Sequence, residues 1–446
     1  MKAPSVPTQL LLTASVATFL IAFDSSVLYV AFPAIVKDFP GLSTGQLSWV
    51  INAYSVGLAS LLVPAGYFAD AFGRKRVFLA GLVIFAVASI GCAAASSVSV
   101  LIASRVLQAV GGAFVLPSSL ATIVAFFSGH QRMAAVGKWS AVGGIAASIA
   151  PPAGAAILHF TSWRMIFLLN APICLLGFLL ASRVFTDSCG SKIARSFAIV
   201  MPFLTIGIGL IATGILIGRG SPGFARWILL ALGLVIFIAT IWVIARRPTL
   251  RPVLGKSDVI WAGAATACFG AAFSCMFIAY TLALVHRFAL PIPLAGLMMT
   301  PIPLLSVPIA GRAGRLAARF GAPRLIVIGA ISSMAGALLF AALLRQDHFS
   351  LPVWLTIAAL SSMGIGFCFP LLSIVGIRSV MADYFAIGSG VNQSSRQMGS
   401  VLGVAATSML LTTLSPGSFG RAMILLITLS AGTMLCMIGG SLRGKT

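Results

Sequence analysis

The sequence predicts an all-α protein that crosses a membrane about fourteen times. Only 8% of its 446 residues are charged and 59% are hydrophobic, whereas about a quarter of the residues in an ordinary soluble domain are charged. Apolar stretches of about twenty residues, the length that a helix needs to cross roughly 30 Å of hydrocarbon, follow one another along the chain. The polar stretches between them are short, so the sequence predicts no soluble domain.

The apolar segments fall into groups of six, two and six. The first six are followed by a polar break from Arg183 to Arg195, and the next two by a second break from Arg246 to Asp258. In chain order, the predicted crossings lie near residues 9–35, 46–69, 77–95, 98–127, 133–158, 164–182, 197–218, 226–245, 259–285, 292–311, 324–344, 351–377, 386–414 and 420–440.

The basic residues orient these crossings. In a soluble protein, a net charge of +22 would suggest nucleic-acid binding, but these Lys and Arg lie in short gaps between apolar runs, which excludes that partner. With fourteen crossings, 20 of the 29 basic residues fall on the side of the two termini and seven on the other side. The remaining two, Arg105 and Arg396, lie inside helices. Because basic loops stay in the cytoplasm, we expect a cell-membrane protein with both termini cytoplasmic.

Two similar loops indicate an internal repeat. GYFADAFGRKR (Gly66–Arg76) joins the second and third crossings, and GRLAARFGAPR (Gly314–Arg324) joins the tenth and eleventh. If the second half begins at the ninth crossing, both loops take the same place in a six-helix unit. We therefore expect a six-helix bundle over 1–182, linkers and an inserted helix pair over 183–257, and a second six-helix bundle over 258–446, a layout that transporters use.

The first loop resembles the signature loop of the major facilitator superfamily. Five further stretches are similar to the fourteen-helix drug:proton antiporters of that superfamily, and together they follow the family order along nearly the whole chain. These stretches are Phe23–Ile35, Ser48–Gly66, Ser104–Ala121, Ser162–Ile173 and Ser389–Ala405. The resemblance implies the major facilitator fold and transport by alternating access, with the proton gradient as energy source and no cofactor or metal.

The chain departs from the family pattern in three places. The second loop has Ala318 where the first has Asp70, and the motif of the fourth crossing has Ala109 where a glycine is typical. On the fifth crossing, the antiporter stretch keeps Gly144, Pro151, Pro152 and Gly154 but differs in detail from the family, and we expect it to serve helix packing. Small residues remain for close helix approach, but the motif alone does not imply proton antiport.

Asp24 is the only acidic residue well inside a predicted crossing. At 1.5 Å per residue it lies about 9 Å below the outer face, and Arg105 lies about 10 Å below the same face. The resemblance makes their two helices neighbours. A buried carboxylate stays ionised beside a guanidinium and takes up a proton away from it, so Asp24 and Arg105 are candidate proton-coupling residues. A permanent ion pair that only positions the two helices is the alternative.

A polar stripe on the thirteenth crossing suggests a cavity wall that contacts substrate, although hydrogen bonding between helices explains it equally well. Weaker candidates lie on the second, fourth and ninth crossings. The candidate cavity residues are Asn52, Tyr54, Gln108, Tyr280, Asn392, Gln393, Arg396 and Gln397. In the first loop, the resemblance assigns Gly66, Asp70, Gly73 and Arg74 to gating between the two halves.

These features favour a proton-coupled exporter of lipophilic or amphiphilic small molecules such as drugs, acting as a monomer in the lipid bilayer. The alternative is an exporter of an endogenous metabolite or lipid-like product. A membrane-embedded enzyme would need clustered His, Asp, Glu or Cys at bilayer depth, and a channel would need a ring of like residues. The sequence offers neither, and it does not identify the substrate.

Overall fold

A computed structural model describes residues 6–40, 44–186, 195–216, 223–246, 257–346, 348–378, 380, 384–411 and 416–443. Within these ranges the backbone is helical and forms no strand. The described helices are α1 (Val6–Asp38), α2 (Thr44–Phe72), α3 (Arg74–Ala93), α4 (Val98–Phe126), α5 (Gly129–Phe160), α6 (Trp163–Leu168), α7 (Asn170–Val184), α8 (Arg195–Leu216), α9 (Gly223–Arg246), α10 (Ser257–His286), α11 (Ile292–Met299), α12 (Pro301–Phe320), α13 (Ala322–Leu343), α14 (Leu351–Arg378), α15 (Phe385–Leu410) and α16 (Pro416–Arg443).

Two predicted crossings are each divided into two helices. The segment near 164–182 breaks at Leu169, between α6 and α7, and Pro172 explains the break because it has no N–H to donate to the carbonyl of Leu168. The segment near 292–311 breaks at Thr300, directly before Pro301. There the Thr300 N–H donates to the Leu297 carbonyl at 3.1 Å, a tighter turn than that of an α-helix.

Eleven helical stretches in the described part are long and apolar enough to cross a membrane. The breaks inside α6–α7 and α11–α12 do not remove either pair from this set. Helices α8, α9 and α15 are outside it, and α15 carries the polar stripe from Asn392 to Gln397. The chain is therefore a multi-pass membrane protein, and the number fourteen stays a prediction.

The first of two compact units contains α1–α4, α6–α9, the second part of α5 from Ile145, and the first part of α15 up to Ser394. In this unit α4 packs closely on α3, since a Cβ on Gly111 would lie 2.6 Å from the backbone nitrogen of Phe85. Helices α8 and α9 pack on each other, and α8 lies against α2.

The second unit contains the first part of α5 up to Gly144, helices α10–α14, the rest of α15, and α16. Its core is aromatic: the ring centroids of Tyr280 and Phe340 are 4.2 Å apart, and Trp354 lies 5.7 Å from Tyr280. The Trp354 indole N–H donates to the Met298 carbonyl at 2.9 Å, so the last turn of α11 is fixed to this core.

The two similar loops share backbone conformation. Gly73 has a φ of 105° and Gly321 a φ of 86°, a region that favours glycine. Earlier in each loop, Gly66 and Gly314 allow a second helix to approach: a Cβ on Gly66 would overlap the backbone of Ala386 on α15, and one on Gly314 would overlap the backbone of Met133 on α5. The glycines at matching positions of the two loops therefore serve the same purpose: one adopts a positive φ, and the other allows a second helix to approach closely.

Candidate functional site

The Asp24 carboxylate lies at the centre of a buried polar network in the first unit. Arg105 donates from Nη1 to Asp24 Oδ2 at 2.6 Å, and both side chains are only 1% exposed. Gln108 and Asn170 each donate from their amide nitrogens to Asp24 Oδ1 at 3.0 Å. Three helices, α1, α4 and α7, therefore meet at one carboxylate, and the structure brings together the two residues that the sequence analysis paired.

The Arg105 guanidinium is held by more than the carboxylate. It donates from Nε to the Val50 carbonyl at 3.1 Å and from Nη1 to Gln108 Oε1 at 2.6 Å. Its central carbon lies 4.2 Å from the ring centroid of Tyr54 and 5.7 Å from that of Phe167. A cation over the face of an aromatic ring is stabilised by the ring's electrons, so part of the Arg105 environment does not depend on Asp24.

Two members of this network, Asn170 and Ser89, were not singled out by the sequence analysis. Asn170 is the first residue of α7, and the break caused by Pro172 lets it begin a new helix beside Asp24. Ser89 on α3 accepts a hydrogen bond from Gln108 Nε2 at 2.9 Å. A polar side chain in a long apolar segment, two residues before Pro172, was the available signal for Asn170.

The network holds the Asp24 carboxylate away from water. As a carboxylate, Asp24 satisfies three donors, and breaking such a buried pair by removing one partner costs about 3–5 kcal/mol. Helices α1 and α4 therefore contact each other through this ion pair. The described residues bring together no cluster of three His, Cys, Asp or Glu side chains that could hold a metal ion.

The predicted gating residues form a second polar site, at the end of α2. Arg74 donates to Asp70 Oδ1 from Nε at 3.1 Å and from Nη2 at 2.9 Å. The other oxygen, Asp70 Oδ2, accepts from the backbone N–H of Ile387 at 2.9 Å. Ile387 lies in the first turn of α15, whose N–H groups have no partner within the helix. Asp70 thus caps α15, while Gly66 allows the close approach.

The cavity candidates occupy different environments. In the first unit, Gln108 and Tyr54 belong to the Asp24 network, and Asn52 is partly buried. Gln393 is fully buried, and neither atom of its side-chain amide has a hydrogen-bond partner among the described residues. Asn392, the residue before Gln393, is also buried.

In the second unit, Tyr280 is fully buried in the aromatic core, and Gln397 is partly buried. Arg396 is partly buried, and its guanidinium carbon lies 4.2 Å from the ring centroid of Phe369.

The antiporter stretch of α5 contributes to packing in both units. Gly154 lies against α1, where a Cβ would be 2.7 Å from Val27 Cγ2. Gly144 faces α12, where a Cβ would be 3.3 Å from Val307 Cγ2. Pro151 and Pro152 lie inside α5. Glycine at these positions allows helices to approach closely, as is common between membrane helices.

Comparisons with known proteins agree with this architecture. The family model described as Major Facilitator Superfamily matches residues 14–196. The chain is 28% identical over 412 residues to the multidrug resistance protein Stp of Mycobacterium tuberculosis, covering 90% of this chain and 75% of Stp. It is 30% identical over 404 residues to the methyl viologen resistance protein SmvA of Salmonella typhimurium, covering 88% of this chain and 80% of SmvA. The solved structure of the human organic anion transporter MFSD10 is similar in fold, with a TM-score of 0.73, 16% identity, and coverage of 98% of this chain and 99% of MFSD10.

Proposed function

The chain belongs to the major facilitator superfamily, and on that premise we propose that it exports lipophilic or amphiphilic small molecules, drugs among them, in exchange for protons. Members of this superfamily are transporters, not enzymes. Two similar proteins are named for resistance to multiple drugs and to methyl viologen. Such names fit outward movement of foreign compounds and support export over uptake.

The Asp24 network is the observation that carries proton coupling. Asp24 lies 18 residues after the start of α1 and 14 before its end, so it is far from either helix end. It is buried with Arg105, Gln108 and Asn170 around it. A proton carrier needs two environments, one in which the carboxylate is paired and one in which it is desolvated and neutral. The described network supplies the first, and movement of α4 away from α1 would create the second.

Alternating access requires contacts that hold one state and can be released. The contact between Asp70 and the first turn of α15 has this character, because one carboxylate serves both Arg74 and the Ile387 N–H. In the same region, Ser394 Oγ donates to the Ala59 carbonyl at 2.7 Å. We propose that Gly66, Asp70, Gly73 and Arg74 stabilise one state of the transport cycle through α15.

The proposed topology has fourteen crossings, with α6–α7 and α11–α12 each forming one crossing. Two six-helix bundles, over 1–182 and 258–446, flank an inserted pair formed by α8 and α9. The packing of α8 on α9 and the 66% exposed side chain of Trp227 on α9 support a peripheral pair. Both termini are proposed to lie in the cytoplasm, and the chain is proposed to act as a monomer in the cell membrane, driven by the proton gradient without a cofactor.

Transport into purified proteoliposomes tests the function. Vesicles are loaded at acidic pH, diluted into a neutral buffer, and given three naphthalene compounds: 2-naphthalenesulfonate, 2-naphthalenesulfonamide and (2-naphthyl)trimethylammonium. We expect at least one compound to accumulate against its gradient, and the accumulation to collapse when a protonophore is added. Export without proton dependence would contradict coupling, and transport of none of these compounds would contradict the proposed substrate range.

A further inference from the structure

Every carboxylate in the described part of the chain has a cationic partner. Four aspartates lie in these ranges, and each forms an ion pair with an arginine. The pairs are Asp24–Arg105 at 2.6 Å, Asp38–Arg164 at 2.7 Å, Asp70–Arg74 at 2.9 Å and Asp258–Arg378 at 3.7 Å. None of these four described carboxylates is therefore free of an arginine partner.

Arg396 is in the opposite situation. It lies 11 residues after the start of α15 and 14 before its end, and no ion pair between described residues includes it. Its Nη1 atom is buried and has no hydrogen-bond partner in the same part of the chain. The Arg396 residue as a whole is partly buried. In the proposed topology α15 spans the membrane, and a cation in the middle of such a helix calls for a counter-charge.

One aromatic ring of the second unit contacts this cation, and a row of further rings continues from it. The Phe369 ring lies below the guanidinium, and Phe269 contacts Phe369 edge-on with 6.5 Å between centroids. Phe273 and Phe277 continue the row along α10, with neighbouring centroids 6.3 and 4.8 Å apart. Helix α10 can run this close because Gly270 faces the Arg396 backbone, where a Cβ would overlap the carbonyl.

Hydroxyl groups lie one helical turn further along α15. Ser400 follows Arg396 by four residues and shares a hydrogen bond with Ser274 on α10. Thus the second unit places a guanidinium, two hydroxyls and a row of phenyl rings along the same pair of helices. A guanidinium recognises sulfonate, carboxylate and phosphate by parallel N–H donation, and phenyl rings accept an apolar body.

We propose that Arg396 binds the acidic head group of an amphiphilic organic anion, with the phenyl row of α10 receiving its apolar part. This inference rests on the proposed export function and narrows its substrate class. The bound anion supplies the counter-charge that the described protein residues do not. An anionic lipid head group has the same chemistry, and the experiment separates it from a soluble substrate.

Binding to the purified full-length chain in phosphatidylcholine nanodiscs tests the proposal. The same three naphthalene compounds are compared, because they share an apolar body and differ in charge. We expect 2-naphthalenesulfonate to bind at least about tenfold more tightly than (2-naphthyl)trimethylammonium, a difference of about 1.4 kcal/mol. Arg396→Met should remove that preference, and Arg396→Lys should retain part of it, since it keeps the charge without the planar fork. Arg345→Met, which removes an exposed charge, is the matched control and should bind like the wild type.

Several outcomes would overturn the proposal. One is equal or tighter binding of the cationic probe by the wild type, and another is an unchanged anion preference in Arg396→Met. A lower unfolding temperature for both Arg396 variants would reveal a structural partner and remove the reason for an external anion. Loss of sulfonate binding when phosphatidylglycerol is added would assign the site to lipid. Arg396-dependent anion binding without transport would instead contradict the export function and leave the binding site intact.

Discussion

Replacing Asp24 with Asn tests whether the buried pair couples protons or only holds two helices together. Asn keeps an oxygen that can accept from Gln108 and Asn170, both 3.0 Å from the present Oδ1. It removes the charge that Arg105 meets at 2.6 Å. Breaking a buried pair costs about 3–5 kcal/mol. We expect the lower end, about 3 kcal/mol, because Arg105 keeps its bonds to Val50 and Gln108 and its contact with Tyr54.

A second substitution separates stability from coupling. In Asp24→Asn/Arg105→Met, both charges are absent, and replacing a whole buried pair with neutral groups is often close to neutral for stability. We therefore expect the wild type and the double variant to unfold in detergent at similar temperatures, and Asp24→Asn to unfold at a lower temperature. Asp38→Asn, which breaks the exposed pair with Arg164, is the matched control and should change the unfolding temperature little.

Transport distinguishes the two roles. Neither the single nor the double variant has a titratable group at position 24, so both should lose accumulation driven by a pH gradient while still exchanging labelled for unlabelled substrate. If Asp24→Asn accumulated substrate against its gradient at the wild-type rate, Asp24 could not be the coupling residue. If the double variant recovered uphill transport together with stability, the pair would be structural.

Three further predictions concern other parts of the chain. A reporter fused after Thr446, or inserted between Arg246 and Asp258, should be cytoplasmic, and an external signal after Thr446 would show that fourteen crossings is wrong. Gly66→Ala should lower the transport rate strongly, because it forces a Cβ into the Ala386 backbone. Gly311→Ala is the control and should not lower the rate, because a Cβ there meets open space. Equal effects of the two variants would show that the contact between Gly66 and Ala386 is not what the rate depends on. Hydrogen bonding to Arg164 lowers the pKa of Asp38. The pair therefore stabilises the fold above the ordinary aspartate pKa near 3.9, and this stabilisation is lost as pH falls through the lowered pKa. In Asp38→Asn, the free energy of unfolding should lose this pH dependence between about pH 5 and pH 2, a change of at most about 1 kcal/mol because the pair is exposed.

The sequence was most informative where the geometry of a helix is fixed. The rise per residue placed Asp24 and Arg105 at similar depth, and the structure has their side chains in direct contact. Hydropathy located the eleven helical stretches of the described part that are long and apolar enough to cross a membrane, because lipid imposes one length and one polarity on such helices. The glycines of the two loops were visible as a repeat, although the helices that they face, α15 and α5, depend on tertiary packing and could not be read from spacing.

Side-chain partners were harder to predict than positions. Gln108 lies three residues after Arg105, so its depth was evident, but spacing does not reveal that its amide bridges Asp24 and Ser89. Asn170 was hidden in a segment that is apolar over most of its length, and only the helix break places it beside Asp24. Tyr280 was predicted to line a cavity; the structure packs its ring against Phe340 and Trp354, and any contact with substrate stays a prediction.

The two proposed ligands bind different chemical groups, and this limits how they can be coupled. If a proton binds Asp24 and an organic anion binds Arg396, they do not compete for one side chain, so each must act on the other through a change of conformation. Coupling of that kind is reciprocal and finite. We therefore expect the dissociation constant of 2-naphthalenesulfonate, which does not titrate in this range, to rise as pH falls and then reach a plateau. In Asp24→Asn the same measurement should give a constant value. An increase that continues tenfold per pH unit without a plateau would indicate direct competition at one group and would contradict separate sites.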